Sequence, residues 1–123
     1  MTTMGKCLCG AIEVTSDEKP DQIIACYCES CQKACGGGAS FNIIKTDEGA
    51  RLSKGETKIY NDTADSGNSL ERHFCGNCGS PIFSVTTAYP GLKIWKAGLF
   101  SDIDGLEVST INNSIPSHGK SRQ

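Results

Sequence analysis

The apolar residues of this chain fall in short groups, and polar or glycine-containing turns separate them. β-Branched and aromatic content predicts strands at 6–14, with a kink at Gly10, and at 22–26, 41–45, 58–61, 70–74, 82–86, 92–97 and 107–111. Asp47-Glu48-Gly49, Asp65-Ser66-Gly67, Tyr89-Pro90-Gly91 and Asp102-Ile103-Asp104-Gly105 carry the turn signals between them. Only 29–35 reads as helix, and Gly36-Gly37-Gly38 ends it. Many short strands with regular turns predict a mainly β fold of small sheets with one short helix, a single domain over residues 1–123. Residues 114–123 carry little apolar content and are expected to form a loose tail.

Composition adds exclusions. Apolar residues make up 37% and charged residues 21% of the 123, as in a globular domain. Twelve Lys and Arg against 14 Asp and Glu give a formal charge of -2, scattered without long runs, so a basic footprint for nucleic acid is absent. No stretch approaches the ~20 apolar residues of a membrane helix. Residues 1–6 hold no apolar core of a signal peptide, so the expected compartment is the cytoplasm, where thiols stay free or bind metal.

Eight residues are cysteine, and their spacing decides their chemistry. They form Cys7-x-Cys9, then Cys26-x-Cys28-x-x-Cys31 with Cys35 trailing, then Cys75-x-x-Cys78. A Cys-x-Cys within a strand holds its Cβ atoms about 7 Å apart, too far for a disulfide but within reach of a shared Zn²⁺. Cys75-Gly76-Asn77-Cys78-Gly79 reads as a zinc-knuckle turn; the redox reading of Cys-x-x-Cys lacks its βαβ setting. Cys7, Cys9, Cys75 and Cys78 together would close a tetrahedral structural site. Reduced cysteines packed as small apolar residues are the alternative.

Cys26, Cys28 and Cys31 supply three thiolates, which leaves a fourth position for water or substrate, the arrangement of a catalytic zinc. The start of the helix is expected to lower the thiol pKa values there. Cys35, one turn beyond Cys31, either closes the site as a fourth ligand or is a buried spectator; the ~1.5 Å rise per residue favours the spectator.

Four segments resemble the glutathione-dependent formaldehyde-activating enzyme family, a domain shared with centromere protein V. They are Gly5-Lys6-Cys7-Leu8-Cys9-Gly10-Ala11-Ile12, Cys26-Tyr27-Cys28-Glu29-Ser30-Cys31-Gln32-Lys33, Ser66-Gly67 followed by Arg72-His73-Phe74-Cys75-Gly76-Asn77-Cys78-Gly79-Ser80, and Ala97-Gly98-Leu99-Phe100-Ser101-Asp102. The resemblance implies a β-tent of short antiparallel sheets stapled by zinc. It implies a structural zinc at Cys7, Cys9, Cys75 and Cys78 and a more labile catalytic zinc at Cys26, Cys28 and Cys31. It also implies a carbon–sulfur lyase that joins glutathione and formaldehyde as S-hydroxymethylglutathione. The chain departs from the family where Ser114-Ile115-Pro116-Ser117-His118-Gly119-Lys120 replaces a Trp-containing segment and where Cys35 replaces a small residue.

Lys33 and Arg72 are candidates to attract a carboxylate of a glutathione-like ligand, against the plainer reading of surface charge. His73 reads as a half-exposed strand residue rather than a base, Trp95 as core, Tyr89 as core or pocket lining, and His118 as solvated. Glu29 and Ser30 sit where they can orient the sulfurs of the three-cysteine loop. The expected function is a zinc enzyme acting on a small thiol adduct, with two zincs per chain and glutathione as co-substrate. The competing function is a non-catalytic, zinc-stabilised binding module. An adaptor role like that of centromere protein V lacks the basic extension it would need.

Overall fold

The strands and helix build two sheets whose apolar faces meet. The structure, a computed structural model, describes residues 2–64 and 66–111. The expected tail at 114–123 and His118 lie outside them. In chain order the elements are β1 (Thr3–Lys6), β2 (Glu13–Ser16), β3 (Gln22–Cys26), α1 (Glu29–Cys35), β4 (Ser40–Thr46), β5 (Ala50–Lys54), β6 (Thr57–Thr63), β7 (Ser69–Cys75), β8 (Pro81–Thr86), β9 (Leu92–Lys96) and β10 (Glu107–Ile111). A single 3₁₀ turn, Ala97–Leu99, follows β9. The three-stranded sheet runs β1-β2-β5, and the seven-stranded sheet runs β10-β3-β4-β9-β8-β7-β6.

Helix α1 has the bounds its sequence predicts. Gly36 turns left-handed at φ 75° and its N–H donates to the Gln32 carbonyl at 2.8 Å, which caps the helix. Three expectations need correction. The segment at 6–14 is two strands joined by a turn, because Gly10 takes φ 80° and its N–H closes on the Cys7 carbonyl at 3.1 Å. Strand β5 is absent from the predicted set because Ala-Arg-Leu-Ser-Lys lacks a β-branched or aromatic signal; its pairing with β2 makes it a strand. The large sheet is mixed, since β10 runs parallel to β3 while its other pairs are antiparallel.

Side chains alternate across each strand, so the seven-stranded sheet presents two different rows. Ile43, Trp95, Phe83, His73 and Ile59 stand opposite one another across five strands. Trp95 is fully buried, as its sequence position suggests, and packs on Phe83 with ring centroids 4.7 Å apart. Phe83 stacks on His73 at 4.0 Å. His73, a partly buried strand residue as its sequence reading expected, is fixed further by Thr57 Oγ1 at 2.7 Å from Nδ1 and Glu71 Oε1 at 3.0 Å from Nε2. Val14 and Ala50 of the small sheet join Ile43, Phe83 and Trp95 in one core cluster.

Strand β1 of the small sheet also touches the segment that follows β9, through the bridge between Gly5 and Phe100. A Cβ at Gly5 would lie 2.5 Å from the Leu99 carbonyl oxygen, and backbone cannot yield there as a flexible side chain could. Gly5→Ala is therefore expected to cost about 1–3 kcal/mol. Gly98→Ala, with nothing within 4 Å of its Cβ, should cost far less. Denaturant unfolding of the two variants checks the pair, and equal stability would contradict the close approach at Gly5.

Candidate metal centres

The turn after β1 and the turn after β7 bring four sulfurs together. Sγ atoms of Cys7, Cys9, Cys75 and Cys78 all lie within 4.8 Å of one another. Cys7 and Cys9 are 3.7 Å apart, and Cys9 and Cys75 are 3.8 Å apart. A tetrahedral ion with metal–sulfur bonds of ~2.3 Å separates its sulfurs by about 3.8 Å. The four thiols thus already stand at the spacing such an ion needs. Because Cys7 and Cys9 flank a turn, the sulfurs converge more closely than an extended strand would allow.

Backbone N–H groups point at this cluster. Ile12 N donates to Cys7 Sγ at 3.3 Å, Ala11 N to Cys9 Sγ at 3.5 Å, and Asn77 N and Cys78 N to Cys75 Sγ at 3.4 and 3.5 Å. Gly10 at φ 80° and Gly79 at φ 80° let both turns fold this way. Ser80 links the two turns: its Oγ accepts from Leu8 N at 3.2 Å and lies 3.2 Å from Cys78 Sγ. The Ser80 hydroxyl and backbone hold the Cys78 thiol down to about 5. Burial pushes the Cys7 thiol up, but the Ile12 N–H and neighbouring thiols outweigh it and the net shift is downward. At Cys7 and Cys78 these contacts favour the thiolate, the form that binds a metal. At Cys75 the N–H groups of Cys78 and Asn77 are outweighed by burial and by the Cys78 and Cys7 thiols, and the thiol is pushed up.

The second cluster gathers Cys26 at the end of β3, Cys28 at the N-cap of α1 and Cys31 in its first turn, again within 4.8 Å. Cys28 Sγ accepts from Cys31 N at 3.3 Å. The Cys31 thiol is pushed up, against the expectation that the helix start would lower it. The shared hydrogen bond with Cys26 is the main cause, and burial adds to it. Three crowded sulfurs resist becoming three thiolates unless a cation joins them, which fits a metal-binding cluster. Cys35 lies outside this group. It is exposed rather than buried, and its Sγ donates to the Ala39 carbonyl at 3.1 Å.

Cys26, Cys28 and Cys31 line a cavity of ≈ 380 Å³; none of the other four ligand-spaced cysteines does. Ile24, Ile44, Leu70, Ile94 and Ile111 form its apolar wall. Ser40, Asn42, Ser84, Asp62, Arg72 and Lys96 supply its polar groups. This is the face of the large sheet opposite the core: Ile44, Ile94, Ser84 and Arg72 stand in register across four strands. Arg72 Nε donates to Asp62 Oδ2 at 3.1 Å, and that guanidinium holds the Asp62 carboxyl below the usual range. Tyr89 is an exposed rim residue of the cavity.

Of the two predicted cations, Arg72 faces the cavity and Lys33 does not. Lys33 lies outside it, paired with Glu29 at 3.2 Å one helical turn away. Ser30 lines the cavity, while Glu29 does not. Sequence reasoning missed Lys96, whose Nζ donates to Asn42 Oδ1 at 2.9 Å. Its signal was the alternation of Leu92, Ile94 and Lys96 against the buried Trp95, which puts Lys96 on the face away from the core.

A mainly β chain with two clusters of ligand-spaced cysteines defines the class of this protein as one whose thiols could hold metal. It belongs to the glutathione-dependent formaldehyde-activating enzyme family, which matches residues 2–113. A Halomonas elongata protein provisionally named as such an enzyme is 32% identical over 96 residues, 75% of this chain and 61% of the relative. An uncharacterized lyase of Schizosaccharomyces pombe is 26% identical over 102 residues, 83% of this chain and 71% of the relative. The chain thus spans less than two thirds of the Halomonas protein. The crystal structure of a Rhodobacter sphaeroides protein shares the fold, with a TM-score of 0.64 over 86% of this chain and 99% of that one, at 17% identity.

The two clusters should part with metal differently. Protons compete with metal for thiolates, and three thiolates hold an ion less securely than four. As pH falls, the cluster containing Cys31 is expected to release metal before the cluster containing Cys78. A chelating dye should register two steps; a single simultaneous release would contradict the difference.

Proposed function

We propose that this chain is a zinc enzyme of the carbon–sulfur lyase kind, acting on a small thiol and its aldehyde adduct, as glutathione and formaldehyde form S-hydroxymethylglutathione. In this reading Cys7, Cys9, Cys75 and Cys78 hold a structural zinc, and Cys26, Cys28 and Cys31 hold a second one. The whole unit works as a single cytoplasmic domain. The observation that carries the reading is the position of the three-cysteine cluster in the wall of a ≈ 380 Å³ cavity, within the ~300–1,000 Å³ range of small-molecule sites. Membership of the family and the names of two relatives support the reaction class.

A zinc held by three thiolates supplies Lewis acidity and an affinity for sulfur. The chain's own residues provide the rest. The isoleucines and Leu70 limit water around the reacting groups. Asn42, itself fixed by Ser40 and Lys96, presents a polar edge beside the cluster. The addition is redox neutral: the sulfur bonds to the carbonyl carbon, and the proton lost by the thiol ends on the carbonyl oxygen. The reverse step breaks the same bond and returns the aldehyde.

Thiols add to formaldehyde without a catalyst, so the test compares rates. Exchange spectroscopy of glutathione and formaldehyde should show faster exchange with the zinc-loaded chain. Cys28→Ser should lose that acceleration by a factor of ten or more, while its fold survives on the four-cysteine cluster. Undiminished exchange in Cys28→Ser would refute the assignment, and no acceleration by the parent chain would favour a non-catalytic binding module.

A further inference from the structure

Two cavities meet at one wall of the large sheet. Beside the cysteine-lined cavity lies a smaller one of ≈ 180 Å³, bounded by residues that include Ala34, Tyr60, His73 and Phe83. Arg72, Ser84 and Lys96 line both. The strand register puts these three on one face of the large sheet, opposite the row that holds Phe83 and His73. Arg72 stands opposite Ser84, Ser84 opposite Ile94, and Lys96 lies two residues beyond Ile94 on the same face.

This wall has donors to spare. Arg72 uses its Nε on Asp62, and the ends of its guanidinium carry further N–H groups. Lys96 uses one of its three ammonium protons on Asn42. The Ser84 hydroxyl belongs to a buried residue between them. Asp62 is the one carboxylate among the described residues lining the larger cavity and Arg72 holds it, so the other anionic groups that lining offers Lys96 are the thiolates of the cysteine cluster. The remaining titratable groups lining the larger cavity are Cys26, Cys28, Cys31 and Tyr89, and His73 lines the smaller. Burial holds the Lys96 ammonium below the ordinary lysine range; the Cys31 charge opposes that effect and the Arg72 charge adds to it. Arg72 and Lys96 repel one another, and a carboxylate that accepts from both lowers that cost, in addition to the anionic groups already in the cavity.

We propose that Arg72, Ser84 and Lys96 form a carboxylate subsite for the thiol substrate, in the wall of the cysteine-lined cavity. The assignment rests on reading Cys26, Cys28 and Cys31 as the place where the substrate sulfur is handled. Because the cluster and these three residues line one cavity, a thiol that carries a carboxylate can reach both at once. The enzyme then selects acidic thiols over neutral ones.

Calorimetric titration of the zinc-loaded full chain tests this without turnover. The probes are S-methylglutathione, whose sulfur is blocked, and its dimethyl ester, which lacks the carboxylates. The acid is expected to bind at least tenfold more tightly than the ester. Lys96→Met should remove that preference and leave ester binding unchanged, and Lys96→Arg should restore it, with zinc content matching the parent as a check on folding. Equal binding of acid and ester by the parent chain, or binding of neither, overturns the subsite independently of any variant. A preserved preference in correctly loaded Lys96→Met overturns it as well. Preferential acid binding together with no acceleration of adduct formation would count against the enzyme reading and still support the subsite.

Discussion

Four sulfurs from distant parts of the chain converge at one point, and the arrangement of the two sheets depends on that convergence. Cys7 and Cys9 belong to the turn leaving β1 of the small sheet. Cys75 and Cys78 belong to the turn leaving β7 of the large one. Bringing Cys9 to Cys75 closes a separation of 66 residues, which costs loop entropy that a bound ion can offset. The N–H groups of Ile12, Ala11, Asn77 and Cys78 are aimed at the sulfurs by the backbone alone. Ser80 then locks one turn to the other through Leu8 N and Cys78 Sγ. With the turns fixed, the close approach of Gly5 to Leu99 and Phe100 follows, and Val14 and Ala50 come down on Trp95 and Phe83.

The period of two along a strand divides the large sheet between stability and chemistry. Ile43, Trp95 and Phe83 face the small sheet; Ile44, Ile94 and Ser84 face the cavity. A slip of one residue in register would exchange these sets, placing Lys96 in the core and Trp95 in the cavity. The stacking of Trp95, Phe83 and His73 opposes such a slip on the core side. Stability on one face thereby sets the positions of Arg72, Ser84 and Lys96 on the other. Helix α1 completes the division, because its N-terminal end carries Cys28 and Cys31 to the rim of the same cavity.

The grouping of the ligand cysteines was legible in the sequence because metal spacing is a local code: two short turns and one helix start hold seven thiols. The bounds of α1 were legible for a similar reason, since Gly36 marks its end by backbone freedom alone. What escaped was decided by distant partners. The segment around Cys7 and Cys9 has the composition of a strand, yet the turn at Gly10 and the facing β7–β8 turn bend it. Strand β5 has no intrinsic β signal and exists through β2. The parallel seat of β10 follows from β3, which nothing near residue 107 announces. Lys33 was a candidate cation because it follows the cysteines in sequence, and helical geometry gives it the plainer role of surface charge paired with Glu29. Lys96 lay unremarked inside the strand expected at 92–97, and only the alternation around Trp95 turns it toward the cavity. Cys35 is exposed because the helix ends there and its thiol turns to the Ala39 carbonyl.

The difference between a closed cluster and an open one is the central claim, and sulfur coordination measures it directly. Anomalous diffraction at the zinc edge from crystals of the metal-loaded chain should locate two ions. One is expected within bonding distance of the sulfurs of Cys7, Cys9, Cys75 and Cys78. The other is expected on Cys26, Cys28 and Cys31 alone, with its remaining position turned to the cavity. A second ion with Cys35 as its fourth sulfur, or no ion at the three-cysteine cluster, would contradict the claim.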